Sequence, residues 1–177
     1  ACHTDNAIVY GSLSSSTVDV SGGWHDAGDY GRYVVPGAKA VADLLMTYEL
    51  YGDTYPDILD EVKYELDWMM QMQDAESGGV YHKITGENFP ETVMPEDETE
   101  QMVLAPISTT ATGDFAAVMA MASRIYADYD SEYAAACLEA AEKAYDYLEE
   151  TPSDVAGFTN PYPIVTGEYP DVNDSGH

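Results

Sequence analysis

Cysteine is scarce: Cys2 and Cys137 are the only two among 177 residues, too few for a disulfide framework. They could form one bridge, or serve separately as a metal ligand and a core residue. Basic residues are scarce too, with six Lys and Arg against 33 Asp and Glu, a formal net charge of −27. A field of that sign repels phosphate backbones and anionic lipid surfaces, so neither nucleic acid nor a membrane is expected as a partner. No apolar run approaches the ~20 residues of a spanning helix. Residues 1–12, ACHTDNAIVYGS, have neither the basic start nor the apolar stretch of a signal peptide. No repeat of fixed period is present, which leaves a tetratricopeptide or ankyrin solenoid unsupported. No serine stands in a GxSxG elbow, which argues against Ser-His-Asp chemistry.

What is present suits one ordinary folded domain. The chain is 45% hydrophobic with 14 Gly and 9 Pro, enough apolar material for a core and unlike a disordered or collagen-like chain. Aromatic usage is lopsided, with 15 Tyr against 2 Trp and 3 Phe. A tyrosine offers a flat ring and a hydroxyl, suited to neutral polar partners or to the edge of a helical core.

Periodicity predicts four main helices. The first starts near Pro36 and is stopped by Gly52, with Val41, Leu44, Leu45 and Tyr48 on one face. The second runs from about Pro56 to Gln73, with Leu59, Val62, Leu66, Met69 and Met70 on the apolar stripe and Asp60, Glu61, Lys63, Glu65 and Asp67 largely opposite. A long irregular connection over 77–110 follows, longer than the ~12–15 residues usual for a structureless loop. The third helix, roughly Thr112–Tyr129, is apolar nearly all round and reads as an inner helix. The fourth, Ser131–Glu149, is amphipathic and reads as an outer one, with Cys137 as a small buried thiol among alanines. Only Gly79–Ile84 and Pro163–Thr166 have β-forming residues in series. The expected class is all-α, as helical hairpins in inner and outer layers joined by long loops.

The chemistry concentrates in residues 19–35, DVSGGWHDAGDYGRYVV. Asp26 and Asp29 are separated only by Ala27 and Gly28 and lie among Gly22, Gly23, Trp24, Tyr30 and Tyr33. Small residues let the backbone turn tightly, and aromatic rings can stack on sugar faces. Such a pair could grip a metal, hold and deprotonate a water as a general base, or simply cap the next helix.

The segment DVSGGWHDAGDYGRYVVPGAKAVADLL resembles the N-terminal signature of glycoside hydrolase family 9, cellulases with an (α/α)6 barrel. ACHT, PDILDEVKYELDWMMQMQ, GGVYHKIT, ISTTATGDFAAVMAMASRIY and IVTGEYPD are also similar to that family, in the expected order. The resemblance covers nearly the whole chain and is strongest to the bacterial subgroup in which an immunoglobulin-like module precedes the barrel. It implies that residues 1–177 are the N-terminal portion of the catalytic domain, a partial (α/α)6 barrel. It also implies an inverting endo-β-1,4-glucanase acting on β-glucan, with Asp29 as the general base and Asp26 helping to position the water. The family's proton-donating glutamate has no matching motif here, so this chain alone is expected to be inactive or weakly active. A non-catalytic glucan-binding fragment is the alternative.

Further roles follow from the same resemblance. His82 is expected to hydrogen-bond a glucosyl hydroxyl. Trp24, grouped with it in the substrate cleft, is either a sugar platform or the packing anchor of the acidic loop. Cys2, His3 and His25 match three ligands of a structural zinc site whose fourth would be a cysteine upstream of residue 1, or else a water completing the tetrahedron. Asp171, Asn173, Ser175 and Gly176 have half the spacing of a calcium loop, but Gly176–His177 stand where the family has an Asp-Glu pair, which weighs against calcium. Secretion is implied by the family, and the rest of the barrel or a second copy is the expected partner for uncovered apolar faces.

Overall fold

The computed structural model describes residues 3, 6–11, 17–26, 28–52, 54–151 and 158–170. Its elements in chain order are β1 (Ala7–Val9), β2 (Thr17–Val18), β3 (Arg32–Tyr33), α1 (Val34–Tyr51), α2 (Ile58–Gln71), β4 (Lys83–Thr85), β5 (Val103–Leu104), α3 (Thr109–Tyr126) and α4 (Ser131–Glu150). The four expected helices are present among the described residues, with shifted ends. Helix α1 begins at Val34, which places Pro36 in the first turn, where its missing N–H is no loss. Helix α3 begins three residues earlier than expected because Ser108 caps it, its side chain accepting from the Ala111 N–H at 3.1 Å. Asp130 caps α4 in the same way through the Tyr133 N–H, at 3.0 Å.

Helix α3 packs against both α4 and α1, and α1 packs against α2. The core joins Leu45 of α1, Leu59, Leu66 and Met69 of α2, Phe115 and Met119 of α3, and Cys137 and Ala144 of α4. Cys137 is a fully buried free thiol, as expected. One side of α3 is open: Ala117 and Ala120 are exposed, and a groove of about 460 Å³ runs between them and Leu138, Tyr145 and Leu148 of α4.

The all-α expectation needs one addition, a small sheet in the order β2-β1-β5-β4-β3. Strand β1 runs parallel to β5, pairing Ile8 with Val103, while the other neighbours are antiparallel. Strand β4 grows out of the β-forming run ending at Ile84; Pro163–Thr166, the other such run, is not a strand. The sheet matters because β3 leads directly from the acidic loop into α1.

Candidate active site

The acidic loop spans 19–31, between β2 and β3. Gly22 and Gly23 have φ of +103° and +79°, and a Cβ on Gly23 would lie 2.4 Å from Cδ2 of the buried Trp68. Only glycine allows the chain to lie this close to the indole and turn left-handed. Arg32, 1% exposed, donates from Nη1 to the carbonyls of Val20 and Gly22 at 3.0 and 2.6 Å. The Asp26 N–H donates to the Gly31 carbonyl at 2.8 Å and closes the loop, and the Tyr30 hydroxyl ties it to the Val93 carbonyl at 2.5 Å.

Both aspartates are held by tyrosines. Asp29 is buried, its Oδ1 accepting from the Gly31 N–H at 2.9 Å and its Oδ2 from the Tyr33 hydroxyl. Asp26 is half-buried, and its Oδ2 accepts from the Tyr169 hydroxyl. The two tyrosine rings meet edge to face, with centroids 4.9 Å apart. Burial and the Asp29 contact raise the Tyr33 phenol, and the bond to Asp26 pushes Tyr169 up to about 12, so both stay protonated donors near neutrality. Neither aspartate caps the next helix: α1 has no side-chain cap, and Tyr33 stands at its N-cap.

Tyr169 arrives on segment 158–170, which Lys83 of β4 fastens. The fully buried Lys83 ammonium donates to Asn160 Oδ1 at 2.6 Å, Thr166 Oγ1 at 3.1 Å and the Gly167 carbonyl at 2.6 Å. Burial lowers its pKa to about 8. His82, also fully buried, stacks on Phe158 with centroids 3.7 Å apart. Its Nε2 lies 2.6 Å from the Glu168 carbonyl and its Nδ1 2.7 Å from Ser108 Oγ. A carbonyl only accepts, so Nε2 carries the hydrogen and Nδ1 accepts from the serine. Burial pushes this imidazole down to about 4, so the ring is neutral near pH 7, with both nitrogens engaged by protein.

Trp24 is half-buried and lines, with His25, Asp26, Tyr33 and Gly37, a recess of about 160 Å³. Its indole N–H donates to Glu61 Oε1 at 2.8 Å and its backbone N–H to Glu65 Oε2 at 2.6 Å. Glu65 corrects the sequence reading: assigned to the polar stripe, it is 1% exposed, and burial raises its pKa to about 7. Glu65, Lys83 and Tyr169 are the functional candidates that sequence reasoning missed. Glu65 stands in a helix whose other acids, Asp60, Glu61 and Asp67, are exposed, and nothing beside it in the sequence marks it out.

His3 and His25 come together, with ring centroids 4.8 Å apart in a T-shape and the Tyr30 ring against both. Burial and the neighbouring His3 push His25 down to about 4, so it is a neutral imidazole of the kind that ligates metals. Cys2 lies outside the described residues, as do Asp171, Asn173, Ser175 and Gly176; among the described residues, no group of three metal-ligating side chains forms. No described helix is long and apolar enough to cross a membrane.

With this geometry in view, the chain can be set beside known proteins. The family model described as glycosyl hydrolase family 9 matches residues 1–176. A cellodextrinase of Butyrivibrio fibrisolvens is 43% identical over 98% of this chain and 34% of its own. The structure of a thermostable endoglucanase from Alicyclobacillus acidocaldarius superposes with a TM-score of 0.90 at 41% identity, over 98% of this chain and 35% of that one. A Zn-binding triple mutant of the family 9 endoglucanase J30 gives a TM-score of 0.86 at 34% identity, over 94% and 35%. The chain spans about a third of the length of the curated relatives it matches.

Proposed function

This chain belongs to glycosyl hydrolase family 9, and from that premise we propose that it carries the water-activating side of an inverting endo-β-1,4-glucanase. The observation that supports this most is the pair Asp26 and Asp29 on one tight loop, each carboxylate steadied by a different tyrosine hydroxyl. Asp29 takes a proton from the attacking water, and Asp26 accepts its second hydrogen bond and fixes its direction. Each carboxylate oxygen of Asp29 keeps a lone pair beyond those used by Gly31 and Tyr33. Because the tyrosines and the Gly31 N–H fix the carboxyl planes before substrate arrives, little reorganisation is needed during reaction.

Inversion needs a proton donor across the glycosidic bond, with the carboxyl groups ~6.5–9.5 Å apart so that water fits between. We place that glutamate outside these 177 residues. Trp24 borders the sugar recess while anchoring the loop. His82 is fully buried, and contact with a glucosyl hydroxyl requires Glu168 or Ser108 to give up its bond. The polymer substrate implies action outside the cell.

Asp29→Asn tests the reading. In the full chain, however far it extends, sugar release from soluble β-glucan should fall ~10²–10⁴-fold with an unchanged circular dichroism spectrum. A fall below about tenfold would overturn the base assignment. Glucan binding without any cleavage by the wild type would select the non-catalytic alternative. Asp29-dependent release by the 177-residue piece alone would remove the external donor.

His3 and His25 fit two ligand positions of a structural zinc, with Cys2 as the third. Zinc bound there would supply a cross-link between the N-terminal segment and the acidic loop. Elemental analysis should find one zinc per chain after chelator-free purification, and a metal-free, fully folded protein would remove the assignment.

A further inference from the structure

The acidic loop is gripped at Trp24 by two carboxylates one turn apart on α2, Glu65 on the backbone N–H and Glu61 on the indole. Glu61 is a surface residue, but Glu65 is 1% exposed, where a carboxyl group is costly and a leucine would fill the same space without desolvation. The fold makes specific room for it. Gly37 of α1 faces it so closely that a Cβ there would stand 2.6 Å from Glu65 Oε1 and 3.0 Å from Met69 Cε. Two residues after Trp24 comes Asp26, whose own N–H is tied to Gly31, so the position of Trp24 is passed to the whole turn.

We propose that Glu65 is a positioning residue for the reaction: its buried oxygen fixes the Trp24 backbone and thereby sets where Asp26 and Asp29 stand. This rests on reading those aspartates as the water-activating pair. An acceptor oxygen is what the role requires, so glutamine can fill it and alanine cannot. Gly37→Ala disturbs the same contact from the opposite side, by pushing the carboxyl group off the Trp24 N–H.

The test compares Glu65→Ala, Glu65→Gln, Gly37→Ala and Leu45→Ala in the full chain. Leu45 is a fully buried core residue of α1 and serves as a control for lost stability. Glu65→Ala should speed hydrogen exchange at the Trp24 and Asp26 amides at least about tenfold beyond any global change. It should also lower kcat on soluble glucan by up to about 10²-fold, the cost of a misplacement near 1 Å, with KM little changed. Glu65→Gln should restore both, Gly37→Ala should reproduce the loss in part, and Leu45→Ala should leave kcat alone. Unchanged exchange in Glu65→Ala, a glutamine variant no better than alanine, or an equal kcat loss in Leu45→Ala would each overturn the proposal. If Glu65→Ala does not fold, the comparison of Gly37→Ala with Glu65→Gln decides by the same readings. The exchange measurement judges the grip even if Asp29→Asn keeps full turnover, an outcome that would overturn the base assignment by itself.

Discussion

The acidic loop and the α3–α4 hairpin bury opposite kinds of side chain. Around the loop, Asp29, Arg32, Glu65, His82, Lys83 and Thr166 are all withdrawn from solvent, whereas within α3 and α4 the one described polar residue so placed is Thr112. The hairpin closes on Phe115, Met119, Ala134, Cys137, Ala141 and Ala144. Apolar contact is forgiving, since residues of similar volume can substitute and the stability remains. A hydrogen-bonded cluster is exacting, because each buried polar group left without its partner costs about 1–3 kcal/mol. The hairpin therefore supplies cohesion, while the loop region uses some of it to hold charges and hydroxyls in one arrangement.

The largest effect expected on stability comes where the two regions meet. Trp68 is buried, supports Gly23 and belongs to the same core as α3. Trp68→Ala should destabilise by about 3–5 kcal/mol in urea unfolding, and a loss below about 1 kcal/mol would show that the loop does not lean on the helices.

Acidity sharpens the contrast on the polar side. Glu65 has its pKa raised from an ordinary 4.5 to about 7, so the folded state binds more proton than the unfolded state between those values. Its contribution is full below pH 4.5 and is lost as pH rises through 7, by at most roughly 3 kcal/mol. Glu65→Gln does not titrate and should gain on the wild type across that window. His82 has the opposite sign: its pKa is lowered to about 4, so its contribution is present above its ordinary 6.5 and lost as pH falls. That slope is common to both proteins and cancels in the difference. Urea midpoints at pH 4.5 and 7 measure the gain; a constant difference would mean Glu65 does not change its proton affinity on folding. The smallest effect belongs to the exposed rim of the hairpin, where Leu138→Ser should shift stability by no more than about 0.5 kcal/mol. A larger loss would show that the groove is already covered.

Helices were legible because 14 to 20 residues give several turns of periodicity. The early start of α3 was missed because Ser108 and the threonines after it offer several capping hydroxyls, and tertiary contacts choose among them. Thr112 sits inside the helix, where its hydroxyl accepts from the Val80 N–H at 2.9 Å. The strands were barely legible, since two or three residues are too few for alternation to show. At the candidate site the aspartates announce themselves by adjacency. Glu65 does not, since it differs from the exposed acids of α2 only in facing Trp24, 41 positions away. Lys83 and Tyr169 are hidden for the same reason: their partners are set by how segment 158–170 returns to the sheet.

That return has a consequence for how the protein comes into being. Lys83 waits for Asn160 and Thr166, His82 for Glu168, and Asp26 for Tyr169, which follows it by 143 positions. At ribosomal speeds of about 5–20 residues per second, the acidic turn is made roughly 7–30 s before its last tyrosine exists. The nascent chain must carry an unfinished, strongly negative loop through that interval, and long-range closure of this kind is entropically slow. Maturation of the site should therefore trail the packing of α1 on α2, which are joined by only residues 52–57.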